Sequence, residues 1–128
     1  MTALQRDATM GFIQIPVSVK ALGDSPSSYD AMFLIDTGAI DSMAPSDELR
    51  RAGIRPVGSK TYELADGTRH EYLFGTAQIE FMGEITAGRI IFGPEGIEPF
   101  LGVTALEAAG VTIDPSTQTL KKLPAVRI

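Results

Sequence analysis

The stretch FLIDTGAIDSMAP, Phe33 to Pro45, decides how the rest of the chain is read. The continuous apolar run Ala31-Met32-Phe33-Leu34-Ile35 suits a strand covered on both faces, yet it runs straight into Asp36. A carboxylate at the end of a buried strand is costly unless it is hydrogen-bonded, charge-compensated or protonated. The two residues that follow offer a way to meet that cost. Gly38 lets the backbone turn sharply and present N–H groups to an acceptor, and the Thr37 hydroxyl can donate or accept. Asp36, Thr37 and Gly38 are therefore the candidate chemical centre. The plainer alternative is that Asp36 only forms a turn or caps a loop.

Composition narrows the classes of function. With 128 residues and 44% apolar side chains, the chain is expected to form one domain over 1–128, with residues 1–10 as an N-terminal arm. The 11 Lys plus Arg are outnumbered by 16 Asp plus Glu, a net charge of −5 that repels phosphate backbones, so no nucleic-acid partner is expected. Without cysteine there is no disulfide, thiol nucleophile or thiolate metal site, which fits a reducing compartment and a cytoplasmic location. No metal or cofactor is expected. No apolar run reaches the roughly 18 residues of a membrane segment, and MTALQRDATM has no hydrophobic core of a secretory signal.

Strand signals fill most of the chain. Ile13, Ile15, Val17 and Val19 alternate with Gln14, Pro16 and Ser18, predicting a one-face-buried strand within Gly11 to Lys20, with Pro16 at a sheet edge. Gly23 to Ser28 reads as a loop and Tyr29 to Ile35 as a strand. Ser46 is read as the cap of a short helix through DELRRAG, with Gly53 beyond its end. Thr61 to Leu64 and Tyr72 to Phe81 flank a projecting hairpin in which Asp66 and Gly67 suit positive backbone angles. A turn at Met82-Gly83 leads to a strand over Glu84 to Phe92. Thr104 to Glu107 matches a capping box, with Gly110 as the helix stop, and Val111 to Ile113 pairs with Thr119 to Leu123 around DPSTQ. The sum is an all-β chain with two short helices.

Phe33-Leu34-Ile35-Asp36-Thr37-Gly38-Ala39 resembles the active-site motif of retropepsin-like aspartic proteases, in which apolar residues lead into D-T-G-A. The family also has a flap hairpin after the motif and an apolar-apolar-Gly segment leading into a helix. Tyr62 to Phe74, and Phe100-Leu101-Gly102 followed by Thr104 to Ala109, match both in order and spacing, so the resemblance spans roughly Gly11 to Leu123. It implies a closed acid-protease barrel with one or two short helices and a flap over Leu64 to Tyr72. Because the chain carries one D-T-G, it also implies a homodimer in which two copies of Asp36 share a proton. By the same resemblance, Thr37 braces the two loops, Gly38 contacts the substrate backbone, and Ala39, Ile40, Asp41, Ala65, Asp66 and Gly67 line the binding site of an extended peptide or protein substrate.

Two positions depart from the viral pattern. Where viral members carry an acidic residue after D-T-G-A and an Arg after the apolar-apolar-Gly segment, this chain has Ile40 and Val103. Both ends of that ion pair are absent together, which places the sequence closer to cellular and bacterial relatives. Ala39 stands where pepsin-like enzymes carry Ser, implying a mildly acidic optimum. Other readings stay open: a peptide-binding or dimerisation module that has kept the fold without the reaction, and a glycosidase pair of Asp36 and Asp41. Asp41 is either a subsite residue or a loop carboxylate capping N–H groups. His70 reads as a solvated hairpin residue and Asp114 as a turn former.

Overall fold

The computed structural model describes residues 13–128; the expected N-terminal arm, residues 1–10, lies outside the described residues. Among the described residues nine strands and two helices follow one another as β1 (Gln14–Lys20), β2 (Ser28–Ile35), β3 (Ser42–Pro45), α1 (Ser46–Arg51), β4 (Gly58–Glu63), β5 (Arg69–Phe81), β6 (Glu84–Gly93), β7 (Phe100–Leu101), α2 (Val103–Ala108), β8 (Val111–Asp114) and β9 (Thr119–Lys122). Neighbouring strands pair in the order β1-β2-β7-β3-β6-β5, and β5 pairs back to β1, closing a ring. Closure satisfies edges that would otherwise template other chains. β4 hangs outside the ring from β5, and β8 and β9 form a separate two-stranded sheet.

The ring is filled by alternating side chains. On β5, Ala77, Ile79 and Phe81 are buried in the ring interior while Gln78 and Glu80 between them are not. Val17 and Val19 do the same from β1, and Leu49 of α1 and Leu106 of α2 plug into the same core. Each large apolar side chain fully removed from water contributes roughly 1.5–3 kcal/mol. The apolar run into Asp36 divides between two clusters. Phe33 and Ile35 join the ring interior, whereas Leu34 joins Met43, Ile91 and Phe100 in a second, smaller cluster on the other face. That is why the run shows no polar alternation: both faces of β2 are covered near its end.

Pro16 sits where the sequence placed an edge. β1 pairs with β2 along its whole length but with β5 only over Ser18–Lys20, so no ladder needs the missing Pro16 N–H on that side. The Met82-Gly83 turn has positive φ at both residues, 53° and 76°, as a two-residue hairpin turn requires. Gly53 ends α1 at φ 86°, with the Gly53 and Ile54 N–H groups donating to the Arg50 and Leu49 carbonyls in a Schellman arrangement.

Three local expectations are corrected. Ser46 is the first residue of α1 and Pro45 its cap, with no side-chain cap hydrogen bond; Pro fixes its own φ but offers no side-chain acceptor. The Thr104–Glu107 capping box is absent as well, because the cap of α2 is Gly102, two residues before Thr104, and its first donors find loop carbonyls instead. Only Gly67 of the hairpin turn has positive φ, at 87°; Asp66 shapes the turn through its side chain.

Candidate active site

β2 delivers Asp36 into a loop built by hydrogen bonds from a distant part of the chain. The Asp36 N–H donates to the Leu101 carbonyl at 2.9 Å, prolonging the parallel β2–β7 pairing by one rung. Beyond it the Ala39 N–H closes a turn onto the Asp36 carbonyl at 3.1 Å. The segment entering α2 then crosses the loop. Val103 N–H donates to the Ala39 carbonyl at 2.8 Å, Thr104 N–H to the Ile40 carbonyl at 3.2 Å, and Gly102 N–H to Ser42 Oγ at 3.0 Å. Donors that a helix start leaves unpaired thus hold the Asp36–Asp41 loop in place.

Within that frame the Asp36 carboxylate is buried at 5% exposure, and the Gly38 N–H donates to its Oδ1 at 3.0 Å. Thr37 and Gly38 are exposed, and Ile40 is 71% exposed. The loop faces a cavity of about 940 Å³. Its walls come from three places: Asp36–Asp41 of this loop, Lys60–Ala65 of the β4–β5 hairpin, and Ile113, Pro115 and Gln118 of the β8–β9 hairpin. Met43, Ile91 and Phe100 of the second apolar cluster line it as well. A site with an apolar lining and a few convergent polar groups suits an organic ligand of peptide size.

Asp36, Thr37, Gly38, Ala39, Ile40, Asp41 and Ala65 all line this cavity. Asp66 and Gly67 stand at the hairpin tip and are not among its walls. There Asp66 Oδ1 accepts from the Thr68 N–H at 2.9 Å and the Thr68 hydroxyl at 2.6 Å, and these bonds hold its carboxyl below the usual range. His70 is exposed and stacks on Tyr72, with ring centroids 6.1 Å apart. Among the described residues no group of three His, Cys, Asp or Glu is placed to hold a metal ion.

Tyr62 and Arg89 are site residues that sequence reasoning did not single out. The Tyr62 hydroxyl donates to Asp41 Oδ2 at 3.0 Å, and Arg89 Nη1 lies 3.7 Å from the same oxygen. Parallel β3–β6 pairing, Ser42 opposite Ile90, brings Asp41 and Arg89 alongside one another. Arg89 also stacks over the Phe74 ring at 4.3 Å, a diagonal contact across β5 and β6. Burial, then the bond to Asp41, pushes the Tyr62 phenol up to about 12. Asp41 therefore serves side chains from two other strands. The only trace of this in the sequence is an arginine inside an otherwise apolar-rich strand.

No protein-family model matches the chain, and no curated protein matches it. Among solved structures, a retropepsin-like aspartic protease from Rickettsia conorii is similar over 86% of this chain and 97% of that one, with 21% identity and a TM-score of 0.45. Among the described residues no helix is long and apolar enough to cross a membrane.

Proposed function

We propose that this chain is an aspartic endopeptidase that works as a homodimer. The observation that carries the reading is the buried Asp36 carboxylate, its Oδ1 fixed by the Gly38 N–H, on the wall of a peptide-sized cavity beneath a projecting hairpin. The sequence motif D-T-G-A at that position supplies the chemistry.

Hydrolysis by carboxyl groups uses two of them, and the sequence contains one D-T-G. A second copy related by a two-fold axis near Thr37 brings its own Asp36 to the first. Two such carboxylates cannot both ionise cheaply, so they hold one proton between them. The ionised member takes a proton from water as the oxygen attacks the peptide carbonyl. The protonated member donates to the carbonyl oxygen, and collapse of the tetrahedral intermediate with proton transfer to nitrogen releases the amine. Ala39 gives the ionised pair no hydroxyl to stabilise it, which sets the optimum in mildly rather than strongly acidic solution. The β4–β5 hairpin covers an extended substrate, and the lining by Met43, Ile91 and Phe100 favours apolar side chains around the scissile bond.

The test is cleavage of an unbiased peptide library from pH 3 to 8 by the wild-type chain and by Asp36→Asn, in samples shown to be dimeric. Products from wild type alone establish the aspartic mechanism. Silence from both overturns it and leaves a peptide-binding module.

A further inference from the structure

The hairpin that roofs the cavity is supported on one side only. β5 pairs with β6 from Phe74 onward, so among the described residues Arg69 to Leu73 pair with β4 alone. Among the described residues β4 in turn pairs only with β5. This part of the hairpin is a two-stranded arm, and since a two-stranded ribbon alone is marginally stable in water, its place depends on what it touches: Tyr62 and Tyr72 pack against the second apolar cluster. Its cross-strand contacts, Ser59 with Glu71 and Glu63 with Arg69, are exposed and stay within the arm. Tyr62 is where β4 reaches an element other than β5 through a polar contact: its Oη–H donates to Asp41 Oδ2 at 3.0 Å.

We infer that Tyr62 is a positioning residue that latches the arm to the catalytic loop, five residues from Asp36. The acceptor is well prepared. Asp41 is largely buried, with its side chain 12% exposed, and Arg89, propped on the Phe74 ring, lies 3.7 Å from the same Oδ2. Packing of Tyr62 on Tyr72, ring centroids 6.2 Å apart, ties the latch to both strands of the arm. The latch sets the width of the cavity before any ligand arrives, so a substrate entering it has less chain to order. Its part in substrate capture rests on the peptidase reading; its part in holding the arm does not.

Amide hydrogen exchange in the full chain tests the latch without any need for activity. Tyr62→Phe keeps the ring and deletes the hydroxyl. It is expected to speed exchange at the paired amides of β4 and of Arg69 to Leu73 by about tenfold, leaving β1, β2 and β6 unchanged. Ser59→Ala deletes a hydroxyl whose bond stays inside the arm and is expected to change exchange there by less than threefold. Equal acceleration in the two variants, or none in Tyr62→Phe, overturns the latch. On any peptide that wild type cleaves, Tyr62→Phe is expected to raise KM several-fold at constant kcat; a fall in kcat with KM unchanged overturns the positioning role. Faster arm exchange in a chain that cleaves nothing supports the latch and sinks the peptidase reading alone.

Discussion

Gly102 lies against Ile40 so closely that a β-carbon on Gly102 would meet the Ile40 carbonyl oxygen at 2.5 Å and the Asp41 carbonyl oxygen at 2.6 Å. The backbone angles are ordinary, with φ at −86°, so the demand for glycine is one of space. It is the price of bringing two backbones together so that Val103 and Thr104 can reach the Asp36–Asp41 loop.

Gly102→Ala should therefore be severe. The atoms in the way are backbone and cannot rotate aside, so the loop or the start of α2 must move. The expected loss is about 3 kcal/mol, at the upper end of overpacking effects, measured by urea denaturation. A loss below about 1 kcal/mol would show that the loop yields easily.

Ser42→Ala isolates one bond of the same frame. Ser42 is 2% exposed and its Oγ accepts from the Gly102 N–H. Alanine leaves that buried donor without its acceptor, which costs about 1–3 kcal/mol. Restoring an acceptor with Ser42→Thr should recover part of the stability in the same denaturation experiment.

The raised Tyr62 phenol gives an alkaline signature. Its folded-state value of about 12 lies above the usual value near 10. The stability it contributes is complete below pH ~10 and is lost as pH rises towards 12. Absorbance titration at 295 nm should resolve a late-ionising tyrosine, and Asp41→Asn should move that step downwards by removing the negative acceptor.

Asp66 gives the acid counterpart at the hairpin tip. The Thr68 hydroxyl and N–H lower its carboxyl below the ordinary value, so its contribution holds above pH ~4 and disappears as pH falls through the depressed value. The Thr68 amide resonance should titrate with a midpoint below that of Asp66 in a peptide spanning 62–70. Thr68→Val should raise that midpoint.

Much of this frame was legible in the sequence, and the gaps have physical reasons. Alternation exposed β1, the continuous run exposed the end of β2, and Gly53 and Gly110 marked both helix ends, each at positive φ. β3 was missed because Ser42 to Pro45 is buried at all four positions between β7 and β6, so no period shows, and its Pro reads as a breaker. Asp36 announced itself because a charge after an apolar run demands an explanation. Tyr62 and Arg89 did not, since their meeting at Asp41 depends on β4 curving over the loop and on the β3–β6 register, neither of which local patterning encodes. Asp66 was read for the wrong property: it suited a tight turn, but as a hydrogen-bond acceptor and not as a residue of positive φ.

The crossing of the Asp36 loop by the start of α2 also sets an order in time. The bond between Ser42 and Gly102 joins residues 60 apart, and those from Asp36, Ala39 and Ile40 reach equally far along the chain. Contacts at such separation form late, after shorter-range hairpins such as β5–β6. During synthesis, residues up to Thr104 must be made before the Asp36 loop gains all of its long-range hydrogen bonds. A half-made product has its D-T-G and the local bond from the Gly38 N–H, but the frame that seats the Asp36 loop against β7 and α2 arrives only with the later segment.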